Sequence, residues 1–251
     1  MATDRIALVT GANQGVGKQV VKELVANGVT VFLGSRDLAR GQAAASEIGD
    51  GAIAIQIDVT DGDSIAAAAA RIDEQFGRLD LLVNNAGISS AGGPDRTPEE
   101  SVGSAKLSTA SLDEIRAVWE VNVFGVVAVY QAMLPLLKKG VDARIVNVSS
   151  GVGSLASNAD PSFAFRSFYG PVYPASKAAE NAMVLAMMIE LESTDIKVNL
   201  VSPGYTSTAL NNFAGTESIE EGSREVVRVA LLGPDGPTGT FTRWENSTIP
   251  W

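Results

Sequence analysis

The 251-residue sequence contains no cysteine and no histidine. Without cysteine, the chain has no disulfide, no thiolate nucleophile and no zinc–cysteine site. Without histidine, it has no Ser-His-Asp triad, no imidazole general base and almost none of the usual catalytic zinc arrangements. Any acid–base chemistry therefore depends on Tyr, Lys, Asp or Glu, and no metal site is expected.

The chain is also short of positive charge, with 19 Lys and Arg against 29 Asp and Glu and a net charge of −10. A nucleic acid or an anionic membrane requires a basic surface, so neither is expected as the main partner. The N-terminus lacks a basic-then-apolar signal pattern, and no apolar run approaches the ~18 residues that span a bilayer. We therefore expect a cytoplasmic protein that acts on a small molecule.

The sequence alternates between short apolar runs, typical of buried strands, and segments with helical periodicity. Such alternation predicts an α/β fold with one doubly wound parallel sheet and helices on both faces. No linker, repeat or low-complexity tract divides the chain, so residues 1–251 are expected to form one domain. The predicted strands are 5–10, 30–34, 51–58, 79–83, 143–150, 196–201 and 239–244. The predicted helices are 18–26, 38–48, 65–76, 112–139, 171–192 and 218–232.

A glycine-rich turn, Thr10-Gly-Ala-Asn-Gln-Gly-Val-Gly17, joins the first strand to the first helix. Glycines let the backbone approach phosphate groups closely, and the helix N-terminus offers free N–H groups and positive partial charge. The turn therefore predicts a nucleotide-phosphate site; the alternative is a glycine-rich turn that binds nothing.

The end of the second strand, Ser35-Arg36-Asp37, bears on the choice of dinucleotide. An acid at this position takes the ribose 2′-OH of NAD, whereas an arginine accommodates the 2′-phosphate of NADP. Arg36 favours NADP, and we interpret Asp37 as the cap of the following helix. NAD, with Arg36 as a solvated loop charge, remains the alternative.

Further polar or small residues follow other predicted strands. Ligands of such sheets bind beyond the carboxyl ends of the strands, so these positions are expected to share one edge. Two serines end the fifth strand, and their side chains should point in opposite directions. The positions are Asp58 and Val59, where an adenine ring could be held, Asn84-Asn-Ala-Gly87, Ser149 and Ser150, and Thr206 to Thr208.

Tyr173 and Lys177 are four residues apart in a predicted helix, so their side chains share one face. A cation beside a phenol lowers its pKa from about 10 toward working pH. Such a tyrosine can give a proton to a substrate oxygen or take one from it. The alternative is an ordinary surface pair.

Three other features have open interpretations. Asn122 interrupts an apolar run and is either a buried amide bonded to backbone or part of a polar relay. The polar segment 88–110 is predicted to be a surface insertion. The segment 153–170, with Phe163, Phe165, Phe168 and Tyr169, either lines a substrate pocket or forms a lid packed on itself.

Over essentially its full length the chain resembles the short-chain dehydrogenases/reductases, which have a Rossmann fold. It is most similar to the carbonyl-reductase-type members and their plant terpenoid and alkaloid reductase relatives, through Ser35-Arg36-Asp37, the extra residues before Tyr173 and the short tail 236–251. The family motifs, in order, are Thr10-Gly-x-x-x-Gly-x-Gly17, Asn84-Asn-Ala-Gly87, Asn122, the serine that ends the fifth strand, Tyr173-x-x-x-Lys177 and Pro203-Gly204.

The resemblance implies an NADPH-dependent, reversible reduction of a ketone or aldehyde. In that reaction Ser150 would hold the carbonyl oxygen, Tyr173 would donate the proton, and Lys177 would bond the nicotinamide ribose and lower the pKa of Tyr173. Asn122 would support a water relay to Lys177. The expected cofactor-binding residues are Gly11, Asn13, Gln14, Gly15, Val16, Gly17, Arg36, Asp58, Val59, Asn85, Ala86, Gly87, Tyr173, Lys177, Pro203, Gly204, Thr206 and Thr208.

The sequence departs from the family pattern at two points. Tyr173 follows Ser150 by 23 residues, more than is usual, and Gln14 stands where NADP-using relatives often have a basic residue. The insertion before Tyr173 favours a monomer, with a dimer as the alternative. A non-catalytic dinucleotide sensor that binds a partner through 88–110 or 153–170 is the competing function. The intact set of Asn122, Ser150, Tyr173 and Lys177 favours the enzyme.

Overall fold

The computed structural model describes residues 5–92 and 106–251, and the strands of this part of the chain form one sheet. They are β1 (Ile6–Val9), β2 (Thr30–Ser35), β3 (Ala52–Gln56), β4 (Leu81–Asn84), β5 (Arg144–Val148), β6 (Lys197–Val201), β7 (Phe241–Arg243) and β8 (Ser247–Thr248). Their spatial order is β3-β2-β1-β4-β5-β6-β7-β8, and every neighbouring pair is parallel except the antiparallel β7 and β8.

The helices alternate with these strands along the chain. They are α1 (Gly15–Ala26), α2 (Leu38–Ile48), α3 (Gly62–Phe76), α4 (Leu112–Trp119), α5 (Gly125–Leu137), α6 (Leu155–Ala159), α7 (Tyr173–Leu191) and α8 (Ile219–Ala230). A π-helical turn, Glu120–Phe124, joins α4 to α5. Shorter 3₁₀ turns are Gly151–Gly153, Arg166–Phe168 and Ala209–Asn211.

Both faces of the sheet are covered, which confirms the predicted doubly wound α/β architecture. On one face Leu8 and Phe32 pack in a core that includes Ile65 of α3 and Val129 of α5. On the other face, Val31 and Leu33 belong to a second core with residues of α1, α2 and α8. Because the central strands are buried on both sides, they are continuous apolar runs rather than alternating ones.

The strand order reverses at β1, which has β2 on one side and β4 on the other. The connections after β1 and β4 leave in opposite directions and open a crevice at their carboxyl ends, where such sheets bind ligands. The Thr10 N–H donates to the Val83 carbonyl at 3.0 Å and holds the two strand ends together. The fold therefore places the glycine-rich turn and the Asn84 to Gly87 turn side by side.

Several element boundaries differ from those expected. α3 begins at Gly62, because Asp61 accepts hydrogen bonds from the N–H groups of Asp63 and Ser64 as its cap. α7 begins at Tyr173, so Pro174 lies in its first turn while Pro171 precedes the helix. The strand β8 was not predicted. The expected insertion at 88–110 lies for the most part outside the described residues.

The helical stretch Leu112–Leu137 is long and apolar enough to cross a membrane by composition, with a mean hydropathy of 1.5. Half of its apolar window is buried within the fold. Val126, Val129 and Met133 belong to the core beneath the sheet. Packing in the core accounts for the apolar character of these positions.

Candidate active site

A cavity of about 1320 Å³ opens at the carboxyl edge of the sheet. It is lined by residues that follow β1 to β6 and by the first turns of α7. Three of the positions predicted for the site, Asn84, Asn122 and Ser207, do not line it. The predicted residues that do are Gly11, Asn13, Gln14, Gly15, Val16, Gly17, Arg36, Asp58, Val59, Asn85, Ala86, Gly87, Ser150, Tyr173, Lys177, Pro203, Gly204, Thr206 and Thr208.

The glycine-rich turn is fixed against the end of β4 by hydrogen bonds. The Asn85 side-chain amide donates to the carbonyls of Thr10 and Gly11 at 2.9 and 3.1 Å. Gly11 has a φ of +62°, and a Cβ at this position would lie 2.8 Å from the Ala86 Cα. No side chain caps the start of α1, so its first N–H groups are free to bind a phosphate. The turn fits the diphosphate of a dinucleotide.

Gly17→Ala is expected to destabilise the protein by about 1–3 kcal/mol and to weaken dinucleotide binding. The new methyl group would collide with the Asn85 side-chain nitrogen and approach the Gly11 carbonyl. The matched control is Gly62→Ala, also at the start of a helix, where nothing lies within 4 Å of the added carbon. Thermal unfolding and cofactor titration of both variants measure the effect. Equal behaviour of the two would show that close approach at Gly17 is not required.

Two arginines lie where the adenosine end of a dinucleotide would bind. Arg36 follows β2 directly and is exposed. Arg40 lies in the first turn of α2, and its Nη2 donates to the Gln14 Oε1 at 2.9 Å. Gln14 thus brings a guanidinium to the turn that itself lacks a basic residue. The Asp37 side chain accepts the Arg40 N–H at 3.1 Å, which confirms its predicted role as a helix cap.

Sequence reasoning missed Arg40. The sequence pattern that could have indicated Arg40 is its spacing of four residues from Arg36, across the start of a predicted helix. The spacing did not show that Gln14 would bind the second guanidinium, since that contact joins residues 26 positions apart.

The catalytic candidates meet where β5 ends and α7 begins. Tyr173 is half-buried, and the nearby Ser150 hydroxyl acts to lower the pKa of its phenol. The Lys177 Nζ lies 6.0 Å from the centre of the Tyr173 ring and donates to the Val148 carbonyl at 2.9 Å. Ser149 is turned into the core, where its hydroxyl donates to the Asn181 Oδ1 at 2.6 Å. The two serines therefore diverge as the strand geometry predicts.

The pKa of Tyr173 is shifted upward, opposite to the expectation. Burial raises the pKa of the phenol above its ordinary value, and Lys177 and the Ser150 hydroxyl offset this rise only in part. Glu180 adds to the rise. Burial alone would lower the pKa of Lys177, but Glu180 and Tyr173 together raise it. Lys177 does act to lower the pKa of Tyr173, as predicted, but the effect of burial is larger.

Asn122 is fully buried in the π-helical turn. Its Oδ1 accepts the Ile88 N–H at 2.9 Å, and its Nδ2 donates to the Ile88 carbonyl at 2.8 Å and to the Ser176 Oγ at 3.0 Å. These are the contacts of a buried amide that holds the backbone after β4, one of the two interpretations offered above. Its part in a relay to Lys177 stays a prediction.

Several aromatic side chains also line the cavity. Phe163, Phe165 and Phe168 line it and also contact one another, with ring centres 5.9 and 6.3 Å apart. These three residues therefore both line the cavity and pack on one another, as the two interpretations of segment 153–170 predicted. Phe213 and Trp244 complete the apolar lining and were not predicted, because they come from distant parts of the chain.

Comparison with known proteins agrees with this architecture. The family model described as short chain dehydrogenase matches residues 5–218. The short-chain dehydrogenase anuI of Penicillium roqueforti is 35% identical over 257 residues, which cover 98% of this chain and 97% of the relative. The solved structure of salutaridine reductase from Papaver somniferum has a TM-score of 0.80 at 29% identity and covers 94% of this chain and 99% of its own. The NADPH-bound carbonyl reductase from chicken fatty liver has a TM-score of 0.80 at 27% identity, with both chains fully covered. With its fold, its cavity and a family match over most of its length, the chain belongs to the short-chain dehydrogenase/reductase family of oxidoreductases.

Proposed function

We propose that the protein uses NADPH to reduce a ketone or aldehyde carbonyl to an alcohol, reversibly, with Tyr173 as the general acid and base. One observation carries the proposal. Tyr173 lines the same cavity as Ser150, Lys177, the glycine-rich turn and the aromatic side chains, and both Ser150 and Lys177 act to lower the pKa of its phenol. A substrate carbonyl placed there would meet a hydroxyl donor and an acid together.

Each residue has a definable part in the proposed reaction. Ser150 and Tyr173 donate hydrogen bonds to the substrate oxygen, and the phenol proton passes to that oxygen as the alcohol forms. Lys177 stabilises the phenolate that remains, in a site where burial strengthens the interaction between charges. NADPH, when bound, supplies the hydride. In the reverse direction the phenolate removes the alcohol proton.

The proposed preference for NADPH rests on the two guanidinium groups. Arg36 and Arg40 both line the cavity where the second strand ends, and a 2′-phosphate binds most strongly to such charged donors. Asp37, which would favour the ribose 2′-OH of NAD, is engaged as a helix cap. The NADPH-bound chicken carbonyl reductase, similar over its whole chain, supports the same choice.

Arg36→Ala and Arg40→Ala are each expected to weaken NADPH binding about 10- to 100-fold and to change NADH binding little, because each removes a charged hydrogen bond to the phosphate. Fluorescence titration with NADPH and with NADH measures the ratio of the two affinities. Arg116→Ala is the matched control, since this exposed arginine on α4 pairs only with the exposed Asp113 among the described contacts. If the ratio of NADPH to NADH affinity is unchanged in both Arg36→Ala and Arg40→Ala, these arginines do not determine the cofactor preference.

A carbonyl panel tests the proposed reaction. NADPH oxidation is followed with apolar ketones and aldehydes of increasing size, chosen because aromatic side chains line the cavity. Turnover with any of them, lost in Tyr173→Phe, supports the proposal. Tight NADPH binding without turnover of any carbonyl would instead favour the non-catalytic dinucleotide sensor.

A further inference from the structure

A buried carboxylate, Glu180, stands directly behind the proposed catalytic pair and has no part in the reaction described above. Its side chain is 1% exposed, and its Oε2 lies 2.6 Å from the Lys177 Nζ. The two residues are three positions apart on α7, so the same helical turn holds both. The other carboxylate oxygen, Oε1, is buried and has no hydrogen-bond partner within residues 5–92 and 106–251.

The ion pair limits what Lys177 can do. An ammonium group has three N–H donors. Two of them are engaged, one by Glu180 at 2.6 Å and one by the Val148 carbonyl at 2.9 Å. Lys177 therefore has one donor left for the cavity, and most of its side chain is held in one position.

The same contact alters the charge that Tyr173 experiences. A lone ammonium would favour the phenolate, but an ammonium paired with a carboxylate is a nearly neutral unit when viewed from the phenol. A buried negative charge also makes it harder to remove a proton from either neighbour. Burial raises the pKa of Glu180, and Lys177 opposes that rise. A 2.6 Å contact with an ammonium is typical of a charged pair.

In the part of the chain that the structure describes, no other charged group near α7 has a comparable position. The charge interactions that act on Tyr173 and Lys177 come from each other and from Glu180. The turn Gly151–Gly153 carries no charge. Arg144 and Lys197 are the first residues of β5 and β6, so they lie at the ends of these strands away from the cavity. On the remaining elements packed against α7, the charged residues are Glu120, Asp113 and Arg116, which are exposed, and Glu114, which accepts the Ala91 N–H.

We infer that Glu180 is a positioning residue that acts through Lys177 and keeps Tyr173 and Lys177 protonated together, so that the pair is poised to donate a proton to a carbonyl. The inference rests on the proposed function for its catalytic consequence. It favours the reduction of a carbonyl over the oxidation of an alcohol, because only oxidation requires the phenolate at the start.

Glu180→Gln tests the inference because it removes the charge and keeps the shape. Carbonyl reduction falls as pH rises and the Tyr173–Lys177 pair loses its first proton. In the variant this alkaline fall is expected to move to lower pH by about one unit or more. The alkaline rise of alcohol oxidation should move in the same direction. An alkaline fall that stays in place or moves upward would overturn the inference.

Two further variants separate charge from structure. Glu180→Asp keeps the charge and should keep a profile close to that of the wild type. Glu180→Met fills the same space without charge and should reproduce the shift if Glu180→Gln does not fold.

Asp80→Asn is the control for the loss of a buried ion-paired carboxylate. Asp80 is fully buried directly before β4, at the amino ends of the strands, and its Oδ2 lies 3.2 Å from the Arg78 Nε. This control should lower stability and leave the profile unchanged; an equal shift there would count against Glu180.

A titration without cofactor or substrate distinguishes failure of this inference from failure of the proposed function. The absorbance of the phenolate is followed with pH, and the matching Tyr173→Phe background is subtracted to isolate Tyr173. Glu180→Gln should lower the midpoint, and an unchanged midpoint would reject the inference. A lower midpoint in a protein that reduces no carbonyl would support Glu180 and reject the proposed reaction.

Discussion

Tyr173→Phe is expected to lower the rate of carbonyl reduction by about 10²- to 10⁴-fold, the usual contribution of a general acid, while NADPH affinity stays nearly unchanged. The substitution removes only the phenol oxygen, which lies near the Ser150 hydroxyl. The ring remains in place above Lys177, whose Nζ lies 6.0 Å from its centre. The loss should therefore appear in kcat, with cofactor binding intact.

The matched control is Tyr169→Phe. Tyr169 lies four residues earlier, is about one-third exposed and is not among the residues that line the cavity. Removal of its hydroxyl should leave turnover unchanged. Steady-state kinetics with a responsive carbonyl, together with NADPH fluorescence titration, measures both variants. Turnover retained in Tyr173→Phe would contradict the proposed acid.

Lys177→Ala is expected to affect turnover, cofactor binding and stability together. It removes the cation that stabilises the phenolate and the one ammonium donor left for the cofactor. It also leaves Glu180 buried without its partner, which costs about 3–5 kcal/mol for a buried pair. Tyr173→Phe should have no comparable effect on stability, so thermal unfolding separates the two variants.

The loss of stability in Lys177→Ala should depend on pH. The pKa of Glu180 is already raised above its ordinary value of 4.5 by burial, and without Lys177 it rises further. A group with a raised pKa in the folded state stabilises the fold at low pH and loses that contribution as pH rises through the folded-state pKa. The difference in melting temperature from the wild type should therefore widen from about pH 5 upward.

The double variant Lys177→Met with Glu180→Leu tests that explanation. It replaces the whole pair with apolar groups, which leaves no buried charge, and such replacements are often neutral or stabilising. Stability should recover and its added pH dependence should disappear, while turnover stays lost. A double variant as unstable as Lys177→Ala would show that an unpaired Glu180 is not the cause.

Local sequence rules were sufficient for the order of elements and for predicting that most of the named positions share one cavity. The glycine-rich turn, Arg36 and the end of β5 were placed correctly, because a strand that ends in small or polar residues brings them to the same edge of a parallel sheet. The spacing of Tyr173 and Lys177 was equally informative, because helical geometry relates residues four positions apart. Element boundaries moved by a few residues where caps such as Asp61 decide the start of a helix.

Long-range contacts account for what was missed. Arg40 joined the site through Gln14, and Phe213 and Trp244 reached the cavity from loops that follow β6 and β7. The π-helical turn around Asn122 continues a helical pattern and leaves no separate signal in the sequence. Each depends on which segments meet in space, and residue spacing along the chain does not contain that information.

The absence of cysteine and histidine, together with the ordered motifs, was enough to predict the doubly wound fold and the use of a dinucleotide, and to propose Tyr173 as the acid. Only the folded protein decided the state in which that tyrosine is held. Its pKa is raised by burial and by the Glu180 carboxylate, which lies 2.6 Å from Lys177. Electrostatic energy is set by distance and by the exclusion of water, and both are properties of tertiary packing rather than of residue order.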